Sequence, residues 1–123
     1  MATIVMADDD ENFATMIRAF LEEQGHVVHL AVDASDLFKV LTGKAPDLLI
    51  LDLKMPGGGG QGAVKFLSET PRTAKTPIII LSMTPVEEQK KMFAGLAHIR
   101  FFSKPVELKA LGAAVAELTA KPA

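Results

Sequence analysis

Five short apolar runs alternate along the chain with longer segments in which apolar residues recur at helical spacing. The runs are rich in β-branched residues, which is typical of strands buried on both faces of a sheet. They occupy residues 3–7, 26–31, 48–51, 78–81 and 99–103. Strands that alternate with helices predict βα units, and therefore an α/β fold with a parallel sheet covered by helices on both faces.

Each predicted helix carries one apolar stripe. Gly25 and Gly43 are positioned to end the first two helices. Residues 84–87 (Thr-Pro-Val-Glu) match a capping box, with Thr84 as the N-cap and proline at the first helical position. Residues 57–60 are all glycine and predict a flexible loop before the third helix. The stripes are Phe13, Met16, Ile17, Phe20 and Leu21; Leu37, Phe38 and Leu41; Ala63, Val64, Phe66 and Leu67; Met92, Phe93 and Leu96; and Leu108, Leu111, Val115 and Leu118.

Composition narrows the class of protein. A chain of 123 residues that is 49% apolar suits one domain, residues 1–123, with one buried sheet. The absence of cysteine excludes disulfides and thiolate metal sites. The 13 basic residues are scattered and the net charge is −2, which argues against direct nucleic-acid binding. No apolar stretch approaches the ~20 residues of a membrane span. The first strand begins too early for a signal peptide, so a cytoplasmic location is expected.

Residues whose side chains can bind a metal ion or a phosphoryl group follow four of the five strands. Asp8 and Asp9 follow the first strand, Asp52 follows the third, Ser82 the fourth and Lys104 the fifth. In an open α/β sheet, ligands bind outside the carboxyl ends of the strands. Three carboxylates, one hydroxyl and one ammonium are therefore predicted to converge at one edge of the sheet. Such a set suits a hard divalent cation and a phosphoryl group.

Magnesium and phosphoryl chemistry assign a role to each of these side chains. Mg²⁺ prefers oxygen ligands, so Asp9 and Asp52 are candidate ligands, and Asp8 is a candidate to hold a metal-bound water. A carboxylate can also act as a nucleophile and form an aspartyl phosphate. Mg²⁺ and Lys104 would neutralise the charge on the phosphoryl oxygens, and Ser82 would donate a hydrogen bond to them.

Together these motifs resemble the receiver domain of two-component response regulators, and the chain is similar to the stand-alone, chemotaxis-type members. The resemblance covers the whole chain. It rests on the acidic pair Asp8-Asp9, on residues 52–56 (Asp-Leu-Lys-Met-Pro), on Ser82 and on Lys104-Pro105. It implies a flavodoxin-like, doubly wound (βα)5 fold with strand order 2-1-3-4-5. It also implies a cis peptide bond before Pro105.

The resemblance further implies a phosphorylation-activated signalling switch rather than an enzyme. Asp52 would be the phosphoacceptor, supplied by a histidine kinase or a phosphotransfer protein, with at most self-phosphorylation from small donors and slow self-dephosphorylation. Mg²⁺ would be held by Asp9, Asp52 and the backbone carbonyl of Lys54. Ser82 and Phe101 would form the switch that changes the face of helix 4, strand 5 and helix 5 for a partner protein. The chain departs from the family pattern in its longer glycine run and in Phe101, which lacks a hydroxyl.

Three other interpretations are open to the sequence. The first is a Mg²⁺-dependent phosphohydrolase with an aspartate nucleophile, although 123 residues leave no room for a substrate-binding cap domain. Multiple turnover would distinguish it from a switch that holds its phosphate. The second is a degenerate receiver used only for binding, which the complete acidic and basic set argues against. The third is nucleotide binding by residues 57–62, which match G-x-G-x-x-G but do not lie in a first βα turn.

Overall fold

Strands and helices alternate through the whole described chain, which confirms the predicted α/β class. A computed structural model describes residues 2–43, 45–54, 59–71, 73–94 and 98–120. The elements are β1 Thr3–Ala7, α1 Glu11–Glu23, β2 Val27–Ala31, α2 Ala34–Gly43, β3 Leu48–Leu51, α3 Gly59–Glu69, β4 Ile78–Ser82, α4 Val86–Met92, β5 Ile99–Ser103 and α5 Leu108–Thr119.

The five strands form one parallel sheet in the order β2-β1-β3-β4-β5. This is the order that the family resemblance implied. The chain leaves the sheet centre in opposite directions from β1 and β3, so the crevice for a ligand lies at their carboxyl ends. Ala7 at the end of β1 pairs with Leu51 at the end of β3. The residues that follow, Asp8 and Asp52, are therefore neighbours.

The sheet separates two apolar cores because successive strand residues point to opposite faces. In β1, Ile4 and Met6 face one core, and Val5 and Ala7 face the other. A buried aliphatic side chain contributes about 1.5–3 kcal/mol relative to an exposed one, so both faces stabilise the sheet. The first core includes Ala14, Ile17 and Leu21 of α1 and Leu111, Ala114 and Val115 of α5. The second includes Leu37 and Leu41 of α2, Ala63, Val64 and Leu67 of α3, and Phe93 after α4.

Helices α1 and α2 end at or just before the predicted glycines, and an aspartate caps the start of each helix. The Asp10 carboxylate caps α1 by accepting a hydrogen bond from the Phe13 amide, at 3.1 Å. Gly25 follows the C-cap with φ of +95°, a conformation that glycine adopts without steric cost. The Asp33 carboxylate accepts from the Asp36 amide at 2.8 Å, and α2 ends at Gly43. Among the helices in the described ranges, none is both long and apolar enough to cross a membrane.

The glycine run is partly helical, and the prediction of a flexible loop over residues 57–60 is wrong at its end. Helix α3 begins at Gly59, while Gly57 and Gly58 lie outside the described residues. Burial of Ala63, Val64 and Leu67 against the sheet holds the body of the helix in place. Once the body of α3 is formed, each residue that extends the helix toward its N-terminus adds a backbone hydrogen bond. This gain offsets the penalty of about 1 kcal/mol for a glycine in a helix.

Two methionines of the predicted stripes are not core residues. Met16 in α1 is 48% exposed and Met92 in α4 is 40% exposed, whereas Leu96 lies outside the described residues. The buried residues of α1 are Ala14, Ile17 and Leu21. A single stripe at i, i+3, i+4 and i+7 already fills the space above the sheet, so Met16 at its margin faces solvent.

Substitution of two glycines tests this description of the backbone. Gly62 lies inside α3, and a Cβ there would meet no atom within 4 Å. We expect Gly62→Ala to raise the free energy of unfolding by about 0.5–1 kcal/mol. Gly25→Ala should lower it by about 1 kcal/mol because φ is positive there. Urea unfolding followed by circular dichroism measures both, since the chain has no Trp or Tyr. A destabilising Gly62→Ala would show that residue 62 is not helical.

Candidate functional site

The sheet hydrogen-bond pattern continues one residue beyond three of the strands and so positions the site. The Asp8 amide donates to the Ala31 carbonyl at 3.0 Å, and the Asp52 amide donates to the Ala7 carbonyl at 2.9 Å. The Lys104 amide donates to the Ser82 carbonyl at 2.8 Å. Because these backbones are held in the ladder, their side chains extend from fixed points at one edge of the sheet.

The Lys104 ammonium is the centre of the site. Its Nζ lies 2.8 Å from Asp8 Oδ2 and 3.3 Å from Asp52 Oδ2. The same nitrogen lies 4.4 Å from the centroid of the Phe13 ring, a cation–π contact. The side chains of Lys104, Asp8 and Asp52 are only 12%, 1% and 7% exposed. Water therefore screens these interactions weakly, and the ammonium fixes the two carboxylates relative to each other.

Asp9 joins Asp8 and Asp52 in a group in which one carboxylate oxygen from each residue lies within 4.8 Å of the others. At this distance two unit charges repel by about 3 kcal/mol at an effective dielectric constant of about 20. One ammonium faces three carboxylates, so the formal charge of the group is −2. Backbone amides offset part of this charge: Asp10 donates to Asp8 Oδ1 at 2.9 Å, and Lys54 donates to Asp52 Oδ1 at 3.1 Å.

For both Asp8 and Lys104, burial and the neighbouring charges shift the pKa in opposite directions. Burial raises the pKa of Asp8, and the hydrogen bonds from Lys104 and from the Asp10 amide offset only part of that rise. For Lys104, burial lowers the pKa, but the hydrogen bond to Asp8 and the charge of Asp52 outweigh it. The pKa of Lys104 is therefore above its usual range. The ammonium stays charged, while the ionised form of Asp8 is energetically costly.

The donor set fits Mg²⁺. Asp8, Asp9 and Asp52 offer only oxygen ligands, and their residual charge of −2 matches a divalent cation. Asp9 is exposed and Asp52 is buried but still 6% exposed, so an ion can reach the group from the side of Asp9. The main chain of Lys54 lies beside Asp52, as its amide shows. Coordination by the Lys54 carbonyl stays a prediction.

Ser82 is fully buried at the end of β4, and it is hydrogen-bonded to Thr84 rather than to the carboxylates in the described part of the chain. The Thr84 amide donates to Ser82 Oγ at 3.3 Å, and Ser82 Oγ donates to Thr84 Oγ1 at 3.4 Å. The capping-box prediction for Thr84 is therefore wrong. The N-cap of α4 is Pro85, without a side-chain cap bond, and the helix begins at Val86. The Thr84 hydroxyl and amide are hydrogen-bonded to Ser82 at the end of β4, and the hydroxyl does not cap α4.

Phe101 lies on β5 and is half-buried. Its ring stacks on that of Phe93, with centroids 6.3 Å apart and an interplanar angle of 23°. It packs against the core that contains α2 and α3. Phe101 thus connects the strand before Lys104 to the end of α4. Its role as a switch stays a prediction.

Two residues with specific contacts were not predicted from the sequence. Phe13 was assigned only to the apolar stripe of α1, yet its ring covers Lys104. Its position in the first turn of α1, directly after the acidic pair, was the available signal, because the start of that helix lies beside the carboxyl end of β1. Gln89 is fully buried in α4. The signal for it was a polar residue at helical spacing between Val86 and Phe93, on the face that packs against the sheet.

Comparisons with known proteins agree with this geometry. The family model of the response regulator receiver domain matches residues 4–116. Protein PilH of Pseudomonas aeruginosa is 31% identical over 112 residues, which are 90% of this chain and 92% of PilH. Two solved structures share the fold. The Francisella response regulator 1452 receiver domain has a TM-score of 0.85 and 25% identity, and the match covers 97% of both chains. Chemotaxis response regulator CheY4 of Vibrio cholerae has a TM-score of 0.87 at 23% identity, over 96% of this chain and 98% of that chain.

Removal of the central ammonium should destabilise the protein in a pH-dependent way. We expect Lys104→Met to lower the free energy of unfolding by about 3 kcal/mol at about pH 7.5, because it leaves buried carboxylates without a cation. It should also raise the pKa of Asp8 further. A group with a raised native pKa binds protons more tightly in the folded state, so stability returns as the pH falls through that pKa.

The measurement is urea unfolding in EDTA, followed by circular dichroism at about pH 7.5 and about pH 4.5. The deficit of Lys104→Met relative to wild type should shrink at the lower pH. Lys109→Met, at an exposed position of α5, is the matched control and should change stability little at either pH. A deficit that is equal at both pH values would contradict the electrostatic role of Lys104.

Proposed function

Because the chain belongs to the family of response regulator receiver domains, we propose that it is a phosphorylation-dependent switch of two-component signalling that accepts a phosphoryl group on Asp52. The observation that carries the proposal is the Lys104 ammonium held between Asp8 and Asp52 at the switch point of the sheet. A fixed cation beside a carboxylate nucleophile is what transfer of an anionic phosphoryl group requires.

The contacts favour Asp52 over the other two aspartates as the nucleophile. Asp8 and Asp52 each accept one backbone amide and the Lys104 ammonium, but the Asp8 side chain is 1% exposed and lies 2.8 Å from Lys104 Nζ, whereas that of Asp52 is 7% exposed. Asp9 is exposed and lacks the ammonium contact that Asp52 has. The longer 3.3 Å contact of Asp52 Oδ2 with Lys104 leaves that oxygen the more available one. Asp52 therefore combines a neighbouring cation with the looser contact to it and the slightly greater exposure of the two buried aspartates.

In the proposed step, an electron pair of an Asp52 carboxylate oxygen forms the new bond to phosphorus. The bond between phosphorus and the donor's leaving group breaks, and the leaving group keeps that electron pair. Charge on the phosphoryl oxygens then attracts Lys104, which can exchange its contact with Asp8 for one with the phosphoryl group. The Ser82 hydroxyl, buried at the end of β4, would donate to another phosphoryl oxygen.

Receiver domains bind Mg²⁺ at an acidic pocket, and we assign that role here to Asp9 and Asp52, with Asp8 acting through a bound water. The Lys54 carbonyl completes the proposed protein ligands. When bound, the cation supplies the positive charge that the group of carboxylates lacks. Asp9 and Asp52 would hold it directly and Asp8 through a water, and Lys104 would remain available to contact the phosphoryl oxygens.

The partners of a receiver are a phosphodonor and a downstream target. We propose a histidine kinase or phosphotransfer protein as the donor, and a protein that reads the surface of α4, β5 and α5 as the target. Movement of Ser82 toward the phosphoryl group would free space beside Phe101. Rotation of that ring away from its stack with Phe93 would then reshape the surface.

Phosphate incorporation tests the acceptor. With acetyl phosphate and Mg²⁺, wild type should gain one alkali-labile phosphate per chain, and Asp52→Asn should gain none because an amide is not a nucleophile here. Asp47→Asn is the matched control at the opposite end of β3. Its side-chain oxygen can still accept the hydrogen bond from the Thr3 amide, at 2.8 Å in the wild type. Intact mass and peptide mapping locate the phosphate.

Two results would overturn the assignment of Asp52. One is phosphate retained by Asp52→Asn, or mapped to Ser82. The other is multiple-turnover release of inorganic phosphate from small phosphate esters, which is the behaviour of an aspartate-nucleophile phosphohydrolase. A switch should instead approach one phosphate per chain and lose it slowly.

Stability measurements with and without Mg²⁺ test the proposed ligands. Added Mg²⁺ should raise the melting temperature of wild type, because an ion that binds only the folded state stabilises it. Asp9→Asn should lose this increase while its stability in EDTA is unchanged or slightly higher, since one repulsive charge is gone. Asp10→Asn is the control, because asparagine also caps a helix well. An equal Mg²⁺ effect in Asp9→Asn and wild type would exclude Asp9 as a ligand.

A further inference from the structure

Gln89 is the polar residue of α4 that is fully buried. Its Nε2 donates to the Thr84 carbonyl at 2.7 Å and to the Phe102 carbonyl at 3.0 Å. Carbonyl oxygens only accept hydrogen bonds, so the amide nitrogen must face them. Its Oε1 is consequently the buried atom that has no hydrogen-bond partner among the described residues. The orientation of the amide is thus determined by its neighbours.

The two bonds of Gln89 join three parts of the fold. Thr84 belongs to the connection after β4, Phe102 belongs to β5, and Gln89 itself lies in the middle of α4. On the other side, Thr84 is hydrogen-bonded to Ser82 through both its amide and its hydroxyl. A continuous chain of hydrogen bonds therefore runs from Ser82, through Thr84 and Gln89, to the backbone of β5.

Helix α4 has little else to hold it in place. It spans seven residues, and its N-cap Pro85 makes no side-chain cap bond. Four of its residues are exposed and charged, namely Glu87, Glu88, Lys90 and Lys91. A helix this short is not stable by itself, so its position depends on tertiary contacts. In the described chain those contacts are centred on Gln89 and on Phe93, which follows the helix and is buried.

We propose that Gln89 holds α4 in its resting position and releases it when the connection between Ser82 and Thr84 moves. The inference rests on the proposed function, which supplies the movement of Ser82. Displacement of Thr84 breaks the 2.7 Å bond to Gln89. The unpaired Oε1 favours release, because the atom gains water as a donor once α4 moves outward. Gln89 is therefore a positioning residue that transmits the state of the site to α4, in parallel with Phe101.

Hydrogen exchange in the unphosphorylated protein tests whether Gln89 holds α4 in its resting position. Gln89→Met has a similar volume but no donor, and we expect the α4 amides to exchange roughly tenfold faster than in wild type. Exchange in α1 and α5 should be unchanged, which separates local release from general destabilisation. Gln89→Leu should behave in the same way, and Gln24→Met, at an exposed position, should match wild type. Unchanged α4 exchange in both Gln89 variants would overturn the proposal, as would equal acceleration in all three helices.

A second experiment tests whether Gln89 transmits the state of the site to α4. It measures amide chemical shifts with Mg²⁺ and beryllium fluoride, a tetrahedral mimic of a phosphoryl group. In wild type, the chemical shifts of residues 82–93 should change. In Gln89→Met, the change at residues 86–93 should fall to less than half of the wild-type change, while the change at Ser82 persists. A full α4 response in Gln89→Met would overturn transmission through Gln89. If wild type shows no response at all, the proposed function fails instead, and the exchange experiment still decides whether Gln89 holds α4.

Discussion

The ion pair of Lys104 with Asp8 and Asp52 is the interaction on which the site depends. These residues follow β5, β1 and β3, so the contact ties together strands from the centre and the edge of the sheet. Removal of one partner would leave buried charges uncompensated, which is among the more destabilising changes in proteins. Because Asp9 adds a further negative charge, the site carries a net negative charge that matches a divalent cation.

The sheet holds the backbone of the site in place. The strands before the site are buried on both faces, and the backbone amides of Asp8, Asp52 and Lys104 continue the sheet ladder. By contrast, α4 is short, highly charged on its surface and held by few buried side chains. The site therefore lies between a sheet buried on both faces and a short helix with few buried residues.

Three residues or segments depart from the local sequence rules for physical reasons that the fold shows. The glycines at the start of α3 are helical because packing of the following apolar residues outweighs glycine's low helix propensity. Thr84 leaves the capping role that its sequence context predicts and bonds with Ser82 instead. Gln89 occupies a core position and keeps one acceptor unpaired. In each case, packing or a hydrogen bond elsewhere in the fold outweighs the local preference.

The sequence alone determined the βα alternation, the apolar strands and the residues at their ends, because these depend on backbone periodicity and burial, which are local patterns. The family resemblance added the strand order. Only the tertiary structure decided how the side chains meet: that Lys104 contacts Asp8, 96 residues away, that Phe13 covers the ammonium, and that Gln89 ties α4 to β5. Such contacts depend on distances between elements that pack after they form, and no local pattern encodes those distances.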